Sequence, residues 1–224
     1  MNILAIDSVT SILSVTASGQ NGTVTVALDS GTQHAETLIG LIEKAVSIAG
    51  FTARETGRVA CAEGPGSFTG LRIAYAAAKG IALASGAELV PVPTLPCYAS
   101  GFESWPGAVV SALDAKKGRF YVQVFRKGSA MTGSLDISAH EVMEYLDPAE
   151  RILVTGPDAE LFAEALSLTF AGIDVVSYNG GRAGISAVLA EFAKNHVSEY
   201  TGIVPDHAGP AYVRKSDAET NTRR

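Results

Sequence analysis

The stretch Ala62-Glu63-Gly64-Pro65-Gly66-Ser67-Phe68-Thr69-Gly70-Leu71-Arg72 constrains the fold more than any other. The apolar run Arg58 to Ala62 before it predicts a buried strand, and the run of small residues from Thr69 to Gly86 after it predicts a long helix. Gly64-Pro65-Gly66 sets two permissive backbone positions around one fixed φ, which makes a tight turn, and Ser67 or Thr69 can offer a hydroxyl to the first helical N–H groups. Such a joint aims backbone donors at whatever lies in front of it. With Arg72 one turn in, it suits an anion or phosphate as well as it suits a plain capped helix start.

The helix that follows carries only two charged side chains, Arg72 and Lys79, and their seven-residue spacing puts them within about 20 degrees of each other around the axis. A helix covering one sheet needs an apolar stripe roughly 100 degrees wide, and this one is apolar over most of its circumference. It is therefore expected to be covered on two sides, by its own sheet and by something else. Ala76, Gly80 and Ala84 recur every four residues and would let another helix approach, with Ile73, Ala77 and Leu83 beside them. The helix predicted over His34 to Ala49, with Thr32 as N-cap and Gly50 as stop, has a similar surplus. Leu38, Leu41, Ile42 and Ala45 lie on one apolar face, and His34 lies in the first turn. These residues form the candidate partner interface.

Around the joint, Ile3 to Asp7, Ile12 to Ala17 and Thr23 to Leu28 read as three sequential strands, a meander, and Leu89 to Val92 as a fifth strand. The order β-β-β-α-β-α-β predicts a five-stranded mixed sheet with helices. Asp7 ends the first strand beside Ser8 and Thr10, an arrangement that serves a magnesium-bound phosphate or simply organises a turn. Asp7, Ser8, Thr10, Gly64, Gly66, Ser67 and Arg72 are the candidate nucleotide or anion contacts.

A second unit is expected after the hinge-like Ser104-Trp105-Pro106-Gly107. Its predicted strands are Ala108 to Asp114, Arg119 to Arg126, Arg151 to Thr155 and a short one about Val175; its predicted helices are Ser138 to Leu146, Asp158 to Leu168 and Gly184 to Val197. The boundaries expected are 1–105 for the first domain, 106–202 for a smaller second one, 203–214 for a segment returning to the first, and 215–224 for a mobile tail. Asp114 with Lys116 and Lys117 sits at a hairpin tip.

Composition narrows the function. Hydrophobic residues make up 47% and charged ones 18%, ample for a core, and the net charge of -6 leaves no basic stripe that could displace counterions from nucleic acid. Any nucleic acid would have to be held mainly by a partner. Cys61 and Cys97 alone make no disulfide framework. The N-terminus lacks a signal-peptide pattern and no apolar run is long enough for a membrane span, so a cytoplasmic protein is expected. The four histidines, His34, His140, His196 and His207, share no ligand spacing, and no metal or cofactor is expected.

Ile3-Leu4-Ala5-Ile6-Asp7-Ser8, His34, the Gly64 to Arg72 string, Ala112-Leu113-Asp114-Ala115 and Pro210-Ala211-Tyr212-Val213-Arg214 together resemble the actin-like, ribonuclease-H-like superfamily. Within it they resemble the bacterial TsaB (YeaZ-like) family rather than its catalytic paralogue, TsaD. TsaD carries two histidines four apart on a helix after the fifth strand, and Thr94 and Tyr98 stand at those positions here. The resemblance implies an α/β fold of two actin-like units, the second reduced. It also implies a non-catalytic subunit needed for threonylcarbamoyladenosine modification of tRNA beside the anticodon. Such a subunit would bind and activate a TsaD-like partner, share the assembly with a TsaE-like ATPase, meet tRNA only through the complex, and form a homodimer when the partner is absent. The alternative is an ATP-dependent phosphotransferase of the actin-like kinase type, with Asp7 and Asp114 at magnesium.

Overall fold

Five buried residues in a row, Ile3–Asp7 (β1), form a strand that can only be central, because alternate side chains point to opposite faces and both faces are covered. In the computed structural model, which describes residues 1–29, 31, 33–195 and 209–213, β1 pairs antiparallel with Ile12–Gly19 (β2) and parallel with Arg58–Gly64 (β4). Gly22–Asp29 (β3) and Glu88–Pro93 (β5) complete a sheet of order β3-β2-β1-β4-β5. Leu4 and Ile6 share one face with Leu13, Val15 and Ala17, under His34–Ala49 (α1) and Phe68–Ser85 (α2). Ile3, Ala5 and Asp7 face the other way, toward Ser186–Asn195 (α5). Thr32 lies outside the described residues; Gln33 precedes the helix without a side-chain cap, and Gly50 closes it in the left-handed region, as its position predicts.

A second sheet repeats the plan. Ala108–Asp114 (β6) pairs antiparallel with Phe120–Arg126 (β7) and parallel with Ile152–Thr155 (β10), as β1 does with β2 and β4. Val175–Ser177 (β11) extends one side, and the two short strands Ser129–Ala130 (β8) and Leu135–Ile137 (β9) both pair with β7. Thr94–Ala99 (α3) packs on β6 and β7, and Ala159–Thr169 (α4) packs on β6, β10 and β11 with Phe162 and Leu166 fully buried.

The chain divides into two compact units at places other than those the sequence suggests. One unit comprises Met1–Pro93 with the described residues of Ala183–Ala211, and the other comprises Thr94–Arg182 with Tyr212 and Val213. α5, expected in the second unit, belongs to the first, because Ser186, Leu189, Ala190 and Ala193 are buried on its sheet. α3 belongs to the second because Leu95 and Cys97 are buried there, ahead of the Ser104 to Gly107 cluster. The helix predicted over Ser138 to Leu146 is a 3-10 segment of five residues, Glu141–Tyr145. Of the return segment only residues 209–213 are described: Ala211 N–H donates to Glu63 C=O at 2.8 Å. Residues 214–224 lie outside the described part, as do His196 and His207.

Candidate functional site

The loop between β4 and α2 is built for close packing against its own chain. Gly64 sits at φ 124 before a cis Pro65, and a Cβ there would meet Ala211 O at 2.5 Å. Gly70, in the first turn of α2, is pressed even harder, since a Cβ would come 1.8 Å from Ser8 O. The Ser8 hydroxyl donates to Gly70 C=O at 2.7 Å, the Ser67 N–H donates to Val9 C=O at 3.0 Å, and Ser67 Oγ caps the helix by accepting from Gly70 N–H at 3.2 Å. The glycines here admit neighbouring backbone.

Asp7 is fully buried. Its carboxylate accepts from Val9 N–H at 3.1 Å, from the Ser14 hydroxyl at 3.3 Å and from Ile185 N–H at 2.8 Å, just ahead of α5. Burial pushes its pKa above the ordinary carboxylate value, against the pull of the Ile185 and Val9 N–H groups, the Ser14 hydroxyl and the nearby His34. Ser186 continues the polar layer by bonding Thr16, which in turn bonds Thr25, both at 2.8 Å. Gly184 seals it, with its Cβ position 2.4 Å from Ser14 Oγ.

The candidate anion contacts therefore separate. Asp7, Ser8 and Gly64 are buried within their own unit, with Asp7 bonded to Val9, Ser14 and Ile185 and Ser8 to Gly70. Thr10 accepts from Ile12 N–H at 3.1 Å, which makes it a turn former. Gly66 is half-buried against Val9, Ser67 is the helix cap, and Arg72 is exposed with its guanidinium 3.8 Å above the Phe68 ring.

The candidate partner face divides as well. On α1, His34, Leu38, Ile42 and Ala45 are buried in the unit's own core, so they are not surface contacts as expected, and Leu41 is half-buried. Two apolar stripes run along α1, and the sheet took the one containing Leu38, Ile42 and Ala45; Ile39 and Ile48 are the large apolar side chains left exposed. On α2, Ala74, Tyr75, Ala78 and Ala82 meet the sheet, Ile73 and Ala77 are half-buried, and Ala76, Gly80, Leu83 and Ala84 are exposed. Leu83 is 79% exposed, and the space where a Gly80 side chain would stand is open. The apolar surplus is present, concentrated on α2.

In the second unit, the Asp114 carboxylate accepts from both the backbone N–H and the ammonium of Lys116 at 2.7 Å, and Asp114 N–H donates to Asp158. The hairpin tip is thus tied internally. Thr94 and Tyr98, both residues of α3, are buried. Among the described residues, no group of three or more His, Cys, Asp or Glu side chains is placed to hold a metal ion, and no helix is long and apolar enough to cross a membrane.

Two sheets, each a meander followed by a parallel crossover strand, define the actin-like, ribonuclease-H-like class. A solved structure from Pseudomonas aeruginosa, described as an uncharacterized protein with similarity to peptidase YEAZ, has the same fold, with a TM-score of 0.75 at 22% identity over 95% of this chain and 99% of that one. The chain belongs to the family described as TsaD, tRNA N6-adenosine threonylcarbamoyltransferase, whose family model matches residues 28–180. Its relatives include the tRNA threonylcarbamoyladenosine biosynthesis protein TsaB of Escherichia coli, 34% identical over 124 residues, 54% of this chain and 53% of that protein. They also include the TsaB of Bacillus subtilis, 23% identical over 174 residues, 74% and 73% of the two chains. The match thus spans about half the length of the E. coli protein.

Proposed function

We propose that the chain is a non-catalytic subunit in tRNA threonylcarbamoyladenosine modification, acting by docking on a TsaD-like catalytic paralogue and activating it. The observation that carries this reading is the exposed α2 face of Ala76, Gly80, Leu83 and Ala84, with Leu83 standing almost wholly in solvent. Small residues at a spacing of four admit a helix backbone closely, and exposed apolar surface of this kind is stabilised by covering it. The names of the TsaB relatives supply the pathway. The acidic chain would meet tRNA only through the complex, a TsaE-like ATPase would share the assembly, and without the partner the same face would close on a second copy.

The phosphotransferase reading requires a carboxylate free to hold magnesium, and Asp7 is already engaged by Val9, Ser14 and Ile185. The test is reconstituted threonylcarbamoyl transfer by a TsaD-like enzyme with and without this chain. Transfer should require the chain and should fail with Leu83→Glu, while Leu168→Glu, an equally exposed change on α4 of the second unit, leaves it intact. Full transfer without the chain would refute the subunit role, and micromolar, magnesium-dependent ATP binding by the isolated chain would favour the phosphotransferase.

A further inference from the structure

Sheet edges present unpaired N–H and C=O groups, and proteins usually blunt them with short strands, prolines or charges. Three of the edges described here are blunted in this way. β5 carries Pro91 and Pro93, β11 is three residues long, and β8 is two. β3 is not. It runs eight residues, Gly22-Thr23-Val24-Thr25-Val26-Ala27-Leu28-Asp29, pairs with β2 in unbroken register, contains no proline or basic residue, and has six of its eight residues exposed.

The register shows which backbone groups are available. Gly19 pairs with Gly22 across the two-residue turn Gln20-Asn21, so that pair is hydrogen-bonded and the alternate residues Thr23, Thr25 and Ala27 turn their N–H and C=O groups outward. The side-chain contacts agree: Ser18 with Thr23 at 2.9 Å and Thr16 with Thr25 at 2.8 Å mark the closer, non-hydrogen-bonded pairs of the β2–β3 ladder.

We propose that this edge is a self-association surface, at which a second copy of the chain adds its own β3 antiparallel about a two-fold axis through Thr25. That axis places Thr25 opposite Thr25, Thr23 opposite Ala27, Val24 opposite Val26, Leu28 opposite Gly22, and Asp29 opposite Asn21. The outward groups form about six backbone hydrogen bonds. Val24 and Val26, half-buried on the α1 face, gain cross-strand apolar neighbours, and Leu28, 41% exposed, lies over a glycine. The only charge on the strand, Asp29, falls at opposite ends of the pairing, so the two carboxylates stay apart; a parallel arrangement would set them side by side. The pairing is isologous, and it uses no residue of the α2 face. It stands independently of the proposed function.

The test is backbone amide exchange by NMR on the full chain across a concentration series, with sedimentation on the same samples. Exchange at the Thr23, Thr25 and Ala27 amides should slow about tenfold as the chain associates. This protection should persist in Gly80→Leu, which alters only the helix face. Thr25→Lys sets two like charges opposite each other at the axis and should weaken association about tenfold; an equimolar mixture of Thr25→Lys and Thr25→Glu chains should restore it. Because Thr25 also bonds Thr16, Ala27→Pro serves as a second variant, removing an outward N–H while leaving the inward ladder intact, and it too should abolish the protection. Amides whose exchange does not depend on concentration, or protection that disappears in Gly80→Leu and survives Ala27→Pro, would overturn the proposal.

Discussion

The Asp7 carboxylate and the Ile185 backbone N–H meet at 2.8 Å although 178 residues separate them in sequence. The bond fastens the start of α5 to the end of β1, and with Ser14, Thr16 and Ser186 it forms a polar layer closed to solvent. The Asp7 carboxylate thus ties α5 to the first strand.

Because burial raises the Asp7 pKa in the folded state, its contribution to stability is fully present below the unfolded carboxylate value of 3.8 and is lost as pH rises through the raised folded value. Asp7→Asn does not titrate. The stability difference between variant and parent should therefore move in the variant's favour as pH rises through that window, measured by urea unfolding at a series of pH values; a difference that stays constant with pH would contradict the raised pKa. Asp7→Ala strands two buried N–H donors and should cost about 2–4 kcal/mol.

Two glycines of α2 should answer the same substitution with opposite sign. Gly70→Ala drives a methyl into Ser8 C=O, backbone that can yield only by shifting the β1–α2 contact, at a cost of about 1–3 kcal/mol. Gly80→Ala meets open space in a helix interior and should stabilise by up to about 1 kcal/mol. Thermal unfolding of the two variants distinguishes them, and equal shifts would mean the Ser8 contact is not tight.

The two helix faces should separate in the same manner. Leu38→Ala removes a core side chain and should cost about 2–5 kcal/mol, whereas Leu83→Ala should change stability by less than about 0.5 kcal/mol while weakening association with a TsaD-like partner. Chromatography of the mixed proteins reads the association and denaturant titration reads the stability. Unaltered association for Leu83→Ala together with Leu83→Glu would remove α2 as the contact.

In the second unit, Glu150 accepts from both Arg126 Nε and an Arg126 terminal nitrogen, and from Asp147 N–H at 2.9 Å. Partial burial opposes its charge, but these donors prevail and hold its carboxyl below the ordinary value. A depressed carboxyl contributes stability above the unfolded value of 4.5 and loses it as pH falls through the folded one. Glu150→Gln should therefore cost about 1–2 kcal/mol at neutral pH and progressively less in acid, read by urea unfolding.

Much of the architecture was legible locally. The Gly50 stop and the Ser67 cap each follow from the preferences of a few neighbouring residues. What misled was local in pattern but global in cause. Glu141 folds back onto the Ser138 N–H and hydroxyl at 2.7 Å, and the segment that follows winds as a short 3-10 turn where the sequence suggested a longer helix. The phosphate-like glycine loop and Asp7 looked open because the residues that close them, Ala211 and Gly184 to Ser186, lie more than a hundred positions away.

The amino-acid sequence by itself determined most of the longer strands and helices, and that α1 and α2 carry more apolar surface than one sheet contact uses, since both are matters of periodicity within a few turns. Only the tertiary structure decided which stripe of α1 turned inward, that α5 joined the first sheet, and that Asp7 became a buried helix anchor. Each of those outcomes depends on contacts between residues far apart in the chain, and burial there is settled by which packing leaves fewest polar groups without partners.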